Sequence, residues 1–110
     1  MRLFQKFKDA VFYGEVSTLP GCAGVAVSHS LFRKGNSGFG SQANRLRLSQ
    51  IKGLGYSCVI CTVDECNDKQ QAILRKTGWK NLNSFLNKAT GHWVEVWSHD
   101  LSGLELKDLL

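Results

Sequence analysis

The sequence predicts one α/β domain with a mixed sheet, whose elements follow the order β-β-α-β-α-β-β. Its 110 residues fit a single domain, and 43% apolar with 21% charged residues is a globular composition. Turn residues divide the chain into segments of strand and helix composition. Strands and helices alternate in the middle of the chain, and pairs of strands form hairpins towards its two ends. We therefore expect residues 1–110 to form one domain, with residues 1–10 as an N-terminal segment and residues 99–110 as a C-terminal tail.

The first third of the chain predicts an antiparallel hairpin. Residues 1–9 alternate charged and apolar side chains and are expected to form a short amphipathic segment, helical or frayed. Two segments of strand composition, Val11–Thr18 and Cys22–Ser30, flank the turn Leu19–Gly21, where proline presets one turn residue and glycine accommodates the next. The polar residues 31–37 are predicted to be a loop.

The rest of the chain predicts two helices and three strands. Ser41–Gly53 lacks proline, carries an irregular apolar stripe and ends in glycine, so it is predicted to be a helix. Tyr56–Val63 is apolar on both faces, as the central strand of a sheet is. A short helix and a hairpin complete the order: Asp68–Thr77, Trp79–Asn87 and His92–Ser98.

Charge and hydropathy narrow the classes of partner. The formal net charge of +5 favours anionic partners, namely nucleic acid, phosphorylated ligands or an acidic protein surface. No run approaches the roughly 18 apolar residues of a membrane span, so we expect no membrane partner. The N-terminal residues lack the continuous apolar stretch of a signal peptide, and a cytoplasmic protein is therefore expected.

The four cysteines are Cys22, Cys58, Cys61 and Cys66. Without a signal peptide they are expected to be reduced thiols rather than a disulfide frame. Zinc ligation by Cys58, Cys61 and Cys66 with His92 or His99 is an alternative. Two residues three apart in a strand point to opposite faces, however, so we predict no metal site. Cys66 as a covalent acyl carrier is a further alternative to an ordinary loop thiol.

The segment before the first helix is rich in glycine. Glycine permits positive φ and a close approach of a ligand to the backbone. The first turn of a helix offers amide donors and a partial positive charge, so the two together predict a site for a phosphate-bearing ligand. A surface loop whose glycines only permit turns is the alternative. The residues expected to bind the ligand are Arg33, Lys34, Gly35, Asn36, Ser37, Gly38, Phe39, Gly40 and Ser41.

A dinucleotide site competes with this interpretation. Gly38 to Ala43 spells G-x-G-x-x-A, and Asp64 lies where the ribose-binding acid of that fingerprint is expected. The polar residues 34–37 separate the fingerprint from the preceding predicted strand, and 110 residues are too few for a full six-stranded dinucleotide fold. Both features disfavour this alternative.

Residues 22–98 resemble the GNAT family of acyl-CoA N-acyltransferases. The family's phosphate loop is a Q/R-x-x-G-x-G/A turn at the start of a helix. Gly38 and Gly40 match its last two glycines, while Gly35 occupies the Gln or Arg position. The helix that follows has the family's length and ends in Leu54-Gly55-Tyr56, a common family ending.

A second segment resembles the family's N-x-x-A-x-x-x-Y-x-K-x-G-F motif. Asn67, Lys76 and Gly78 have its spacing. Leu74 stands where many members carry a catalytic tyrosine, which removes the usual general acid for the leaving thiolate.

The resemblance implies a GNAT-like acyl-CoA-binding fold and an acetyl-CoA-dependent N-acetyltransferase acting on an amine of an unidentified acceptor, such as a protein lysine. The glycine turn would bind the pyrophosphate, and the pantetheine arm would lie between two splayed strands. Asn67 would hydrogen-bond that arm or an ordered water, and a backbone amide of the first strand would polarise the carbonyl. Glu15, His29 and Glu65 are the candidate bases for the proton of the amine.

We expect the family's first strand and two helices to have no counterpart here, since only ten residues precede Val11. Short members of this kind resemble phage or mobile-element proteins. A macromolecular acceptor, a homodimer that completes the site, or a degenerate module that binds a host protein or nucleic acid would each account for the short front. Tryptophans beside basic residues can stack nucleobases, although at strand spacing they more often pack in a core. They are Trp79, Trp93 and Trp97.

Overall fold

The computed structural model describes residues 1–7, 10–35 and 37–102, with the backbone alone for residues 31–35 and 37. Six strands, two helices and a short 3-10 turn at Ser37–Phe39 make up this part of the chain. The strands are β1 (Arg2–Phe7), β2 (Ala10–Leu19), β3 (Cys22–Gly35), β4 (Cys58–Asp64), β5 (Lys80–Asn87) and β6 (His92–Asp100). The helices are α1 (Gly40–Gly53) and α2 (Asp68–Lys76).

The strands form one mixed sheet in the order β1-β2-β3-β4-β6-β5. Among the strands of the described residues, only β3 and β4 pair in parallel, across the connection that contains α1, and the other neighbours are antiparallel. Buried side chains from both helices join buried strand residues in one cluster, which includes Leu48, Leu74, Val59 and Trp97. The mixed sheet with two helices confirms the predicted fold class.

The N-terminal segment differs from the prediction. Residues 2–7 form a strand that pairs antiparallel with β2, from Arg2 opposite Glu15 to Phe7 opposite Ala10. Leu3 and Gln5 are buried while their neighbours are exposed or partly exposed. Alternation with a period of two is typical of a half-buried strand, so the expectation of a helical or frayed segment was wrong.

The predicted loop over residues 31–37 was wrong for most of its length, because β3 continues to Gly35. The β2–β3 register shifts between Tyr13 opposite Phe32 and Gly14 opposite Ser30, which leaves one extra residue on β3 in a bulge. Backbone pairing with β2 extends this strand despite its polar composition. The strand therefore ends close to the glycine turn, and the disfavoured dinucleotide interpretation loses one objection. A sheet with a single parallel pair is nevertheless not a doubly wound dinucleotide fold.

The other predicted elements are confirmed to within about two residues, which is the usual uncertainty of element ends. The turns of the two predicted hairpins, β2–β3 and β5–β6, contain Gly21 and Gly91, both with positive φ. The last strand extends to Asp100, beyond the predicted end at Ser98. Within the described residues, neither helix is long and apolar enough to cross a membrane.

The sheet is unevenly covered. The strand β5 lies at the edge of the sheet, and each of its residues except Asn87 is exposed. Trp93 and Trp97 share a face of β6 by their spacing, yet Trp93 is 48% exposed and Trp97 only 2%. Trp97 therefore belongs to the core, and Trp93 lies on the solvent-exposed part of the β5–β6 hairpin.

A polar network joins α1 to β1 and β3. The fully buried Gln5 accepts hydrogen bonds from Arg47 Nη2 at 3.0 Å and Nε at 3.3 Å. Gln5 Nε2 donates to Gln50 Oε1 at 2.8 Å, and Arg47 Nη1 donates to Ser30 Oγ. A Cβ at Gly14 would lie 2.8 Å from the His29 carbonyl oxygen and 3.0 Å from Arg47 Cζ. The guanidinium therefore occupies space that exists because residue 14 has no side chain.

We expect Gly14→Ala to destabilise the protein by about 1–3 kcal/mol, because the new methyl group overlaps backbone that cannot move freely. Urea denaturation followed by circular dichroism measures this free energy of unfolding. Gly53→Ala is the matched control, since a Cβ there meets nothing within 4 Å. The control should leave stability unchanged or raise it by up to about 1 kcal/mol. Equal effects of the two substitutions would contradict the packing at Gly14.

Candidate active site

A cleft opens where the two parallel strands separate. β3 and β4 pair over only three residues on each strand, ending at Val27 opposite Ile60. Beyond this pair, residues of both strands line one cleft with a volume of about 190 Å³. The lining residues come from β3, α1, β4 and the α2 region: Ser28, His29, Ser30, Asn44, Arg47, Cys61, Thr62, Val63, Asp64, Asn67, Gln70, Leu74 and Trp79.

α1 presents polar side chains to this cleft. Asn44 Oδ1 accepts hydrogen bonds from Trp79 Nε1 at 2.9 Å and from Thr77 Oγ1 at 3.0 Å, which ties α1 to the end of α2. Arg47 lies on the same face of the helix, three residues further on. These two polar residues interrupt the inward-facing stripe of α1, which explains why its apolar periodicity is irregular in the sequence.

Arg47 gives the cleft a fixed positive charge. Burial lowers the pKa of its guanidinium from the ordinary value, and among the described residues no carboxylate lies within ion-pair distance of it. Burial also raises the pKa of the neighbouring Cys61 thiol to about 12, an effect that Arg47 partly offsets. Cys61 is therefore a neutral thiol at physiological pH, and the cleft favours an anionic group or a developing negative charge.

The glycine turn leads into α1. Phe39 occupies the N-cap position and makes no side-chain capping hydrogen bond, and the first turn contains no acidic residue. The Phe39 ring stacks on Phe7 with centroids 4.9 Å apart, which anchors the turn to the end of β1. Gly40 packs against α2, because a Cβ there would lie 2.6 Å from Ile73 Cδ1. Of the other predicted ligand residues, Asn36 lies outside the described residues, as do the side chains of Arg33, Lys34 and Ser37.

Asn67 has a structural task as well as a place in the cleft. It is the N-cap of α2, and its Oδ1 accepts a hydrogen bond from the Gln70 backbone amide at 3.2 Å. Its own amide donates to the Asp64 carbonyl at 2.9 Å, which fixes the turn after β4. The side chain that the sequence suggested for ligand binding is thus held in a defined position at the carboxyl end of β4.

The candidate bases are distributed over two places. His29 lines the cleft, and Glu15 lies opposite it in the β2–β3 register, with its carboxylate 3.7 Å from Arg2 Nε. Glu65 is exposed on the turn after β4, and its carbonyl accepts a hydrogen bond from Gln71 Nε2 at 3.0 Å. Of these three residues, only His29 is among the lining residues.

The structure also places residues that sequence reasoning passed over. Ser30 and Arg47 line the cleft, and the buried Gln5 accepts hydrogen bonds from Arg47 behind them. Only the unexpected polarity of the inward face of α1 hinted at these residues. Leu74 is fully buried and lines the cleft, so the motif position that often holds tyrosine supplies no hydroxyl here.

The structure does not bring Cys58 and Cys61 together, as the alternative of a zinc site with both residues would require. Cys61 lines the cleft, whereas Cys58 lies in a second cavity with His99. Both ring nitrogens of His99 already face backbone carbonyls, of Thr77 at 3.0 Å and of Asp100 at 2.9 Å. All four cysteines are free thiols.

Comparison with known proteins identifies the fold. No family model matches the chain, and no curated protein matches it in sequence. Among solved structures, it is similar to a GNAT-family acetyltransferase from Streptococcus pneumoniae, with a TM-score of 0.65 and 13% identity over 84% of this chain and 59% of that one. It is also similar to the IAA acetyltransferase from Bacillus cereus ATCC 14579, with a TM-score of 0.64 and 14% identity over 84% and 69%.

A third similar structure contains CoA. The NatC complex bound to Gag peptide and CoA matches with a TM-score of 0.64 and 5% identity, over 83% of this chain and 60% of that one. The chain thus spans about 60% of the length of two of these three structures. At such identities the likeness concerns the backbone arrangement, and it confirms the fold that the sequence motifs suggested: the chain has the fold of the GNAT acetyltransferases.

Proposed function

We propose that the protein binds acetyl-CoA and transfers its acetyl group to an amine of an acceptor, of which a protein lysine is one candidate. The observation that carries this proposal is the cleft between the separating strands β3 and β4, next to the glycine turn that opens α1. The structural neighbours named as acetyltransferases, and the CoA in one of them, support the same cofactor.

The residues present fit such a ligand at both of its ends. The start of α1 has no acidic residue in its first turn and no side-chain cap at Phe39, so the amides from Gly38 to Ser41 suit a pyrophosphate. The cleft offers polar groups to the amide-containing arm, with Asn67 on the β4 side. When bound, acetyl-CoA supplies the thioester whose acyl group is transferred.

Different groups of the cleft would serve the separate steps of the acetyl transfer. His29 is our candidate to accept the proton of the amine, because it is among the lining residues and lies opposite Glu15 in the β2–β3 register. The β3 backbone next to its bulge provides amide donors for a carbonyl oxygen. The side chain of Leu74 has no acidic proton to give to the departing thiolate. The Arg47 guanidinium instead supplies a positive charge that stabilises this thiolate.

A second candidate function is a non-catalytic module that binds a host protein or nucleic acid. The buried Leu74 favours it, because the hydroxyl of the family motif is missing. The exposed edge strand β5, with Leu82, Phe85 and Leu86 all at least 46% exposed, also favours it. Binding of acetyl-CoA separates the two candidates.

Calorimetric titration with acetyl-CoA, CoA and NAD should show micromolar binding of the first two and none of NAD. Gly38→Glu places a carboxylate at the amides of the turn and should weaken acetyl-CoA binding by more than about tenfold, or 1.4 kcal/mol. Gly53→Glu makes the same charge change at the other end of α1 and should bind like the parent. Equal binding by both variants would refute the phosphate-loop assignment, and no binding to the parent would leave the non-catalytic module.

Asn67 offers a second test, because its two roles can be separated. Asn67→Asp keeps the helix cap but loses the amide donor, so stability should be retained while acetyl-CoA affinity falls. Asn67→Ala loses both, and its free energy of unfolding should also drop by about 1 kcal/mol. Urea denaturation and calorimetry measure the two quantities. Unchanged affinity in Asn67→Asp would remove this residue from the binding site and leave it as a cap alone.

A further inference from the structure

Three potential metal ligands meet beside the cleft, two from one turn of the chain and the third from a segment far away in the sequence. Asp64 ends β4, Cys66 lies in the turn before α2, and His92 begins β6. One ligand atom from each lies within 4.8 Å of the other two. Asp64 Oδ2 is 3.0 Å from His92 Nδ1, and Asp64 Oδ1 accepts a hydrogen bond from the Cys66 amide at 2.8 Å.

The backbone holds these segments together independently of the three side chains. The Glu65 amide donates to the Trp93 carbonyl at 3.0 Å, next to Asp64 and His92. The Asn67 amide donates to the Asp64 carbonyl at 2.9 Å and closes the turn that carries Cys66. The ligand groups therefore face one another because of the fold, and side-chain rotation alone can adjust their spacing.

The chemistry of the three groups fits a borderline transition metal. Bond lengths of a tetrahedral zinc site place its ligand atoms about 3.3–3.6 Å apart, and the observed spacings are compatible with that after small movements of exposed side chains. Imidazole, thiolate and carboxylate together favour Zn²⁺ over Mg²⁺ or Ca²⁺, which take oxygen ligands. Glu65 and Asp68 flank the cluster in sequence and add negative charge in a chain whose net charge is +5.

We propose that Asp64, Cys66 and His92 bind a Zn²⁺-type ion with three protein ligands, and that its fourth position takes water or a small donor. Such an ion links the turn after β4 to the start of β6. Asp64 and Asn67 also line the cleft, so the ion lies at its margin. The proposal rests on side-chain geometry and does not depend on acetyl-CoA binding.

Titration of the metal-free full chain with Co²⁺ tests the site, because cobalt reports its ligands by absorbance. We expect one equivalent to produce a thiolate charge-transfer band with visible bands of tetrahedral intensity, and Zn²⁺ to displace it. Cys66→Ser should abolish the charge-transfer band, and His92→Gln should weaken Co²⁺ binding by more than about tenfold. Cys22→Ser removes another exposed thiol and should change nothing.

A measurement on the parent chain alone guards against variants that fail to fold. Zn²⁺ should slow the alkylation of Cys66 by iodoacetamide, measured by peptide mass spectrometry, and leave Cys22 equally reactive. The proposal is overturned if the parent shows no cobalt band, if Cys66→Ser retains it, or if zinc protects both thiols alike.

Discussion

The parallel hydrogen bonds between β3 and β4 stop after Val27 and Ile60, and the rest of the candidate site depends on that interruption. A parallel pair requires a crossover connection, so α1 must pass over the sheet and begin near the carboxyl end of β3. The glycine turn and the cleft are thereby placed at the same end of the two strands. If the pairing had continued, the backbone groups of β3 and β4 would hydrogen-bond to each other, and no cleft would lie between the two strands.

Where β3 and β4 separate, polar backbone groups lie inside the fold, and polar side chains lie next to them. Arg47 of α1 lines the cleft and donates hydrogen bonds to the buried Gln5, while Asn44 ties the same helix to the end of α2. Burying a charged group costs free energy unless hydrogen bonds compensate, and Gln5 and Ser30 provide such bonds here. The cleft is thus lined by a charged group whose burial depends on these hydrogen bonds.

Local patterns predicted the parts of the fold that depend on local physics. Helix ends at glycine, proline-glycine turns and the apolar run of β4 identified most elements, and the spacing from Asn67 to Gly78 indicated the fold. The N-terminal strand was missed because its partner, β2, determines its conformation more than its own composition does. Arg47 was missed for a similar reason: its contact with Gln5 joins residues 42 positions apart, and no local pattern reports such a contact.

The missing side chain at Gly14 has an evolutionary consequence. Its vacant space is filled by the Arg47 guanidinium, and the His29 carbonyl bounds it on the other side. The two positions therefore constrain each other through shared volume rather than through charge. Relatives of this chain that keep arginine at position 47 should therefore keep glycine at position 14. A smaller residue at 47 would relieve only one of the two contacts, because the His29 carbonyl oxygen would still lie 2.8 Å from an added Cβ.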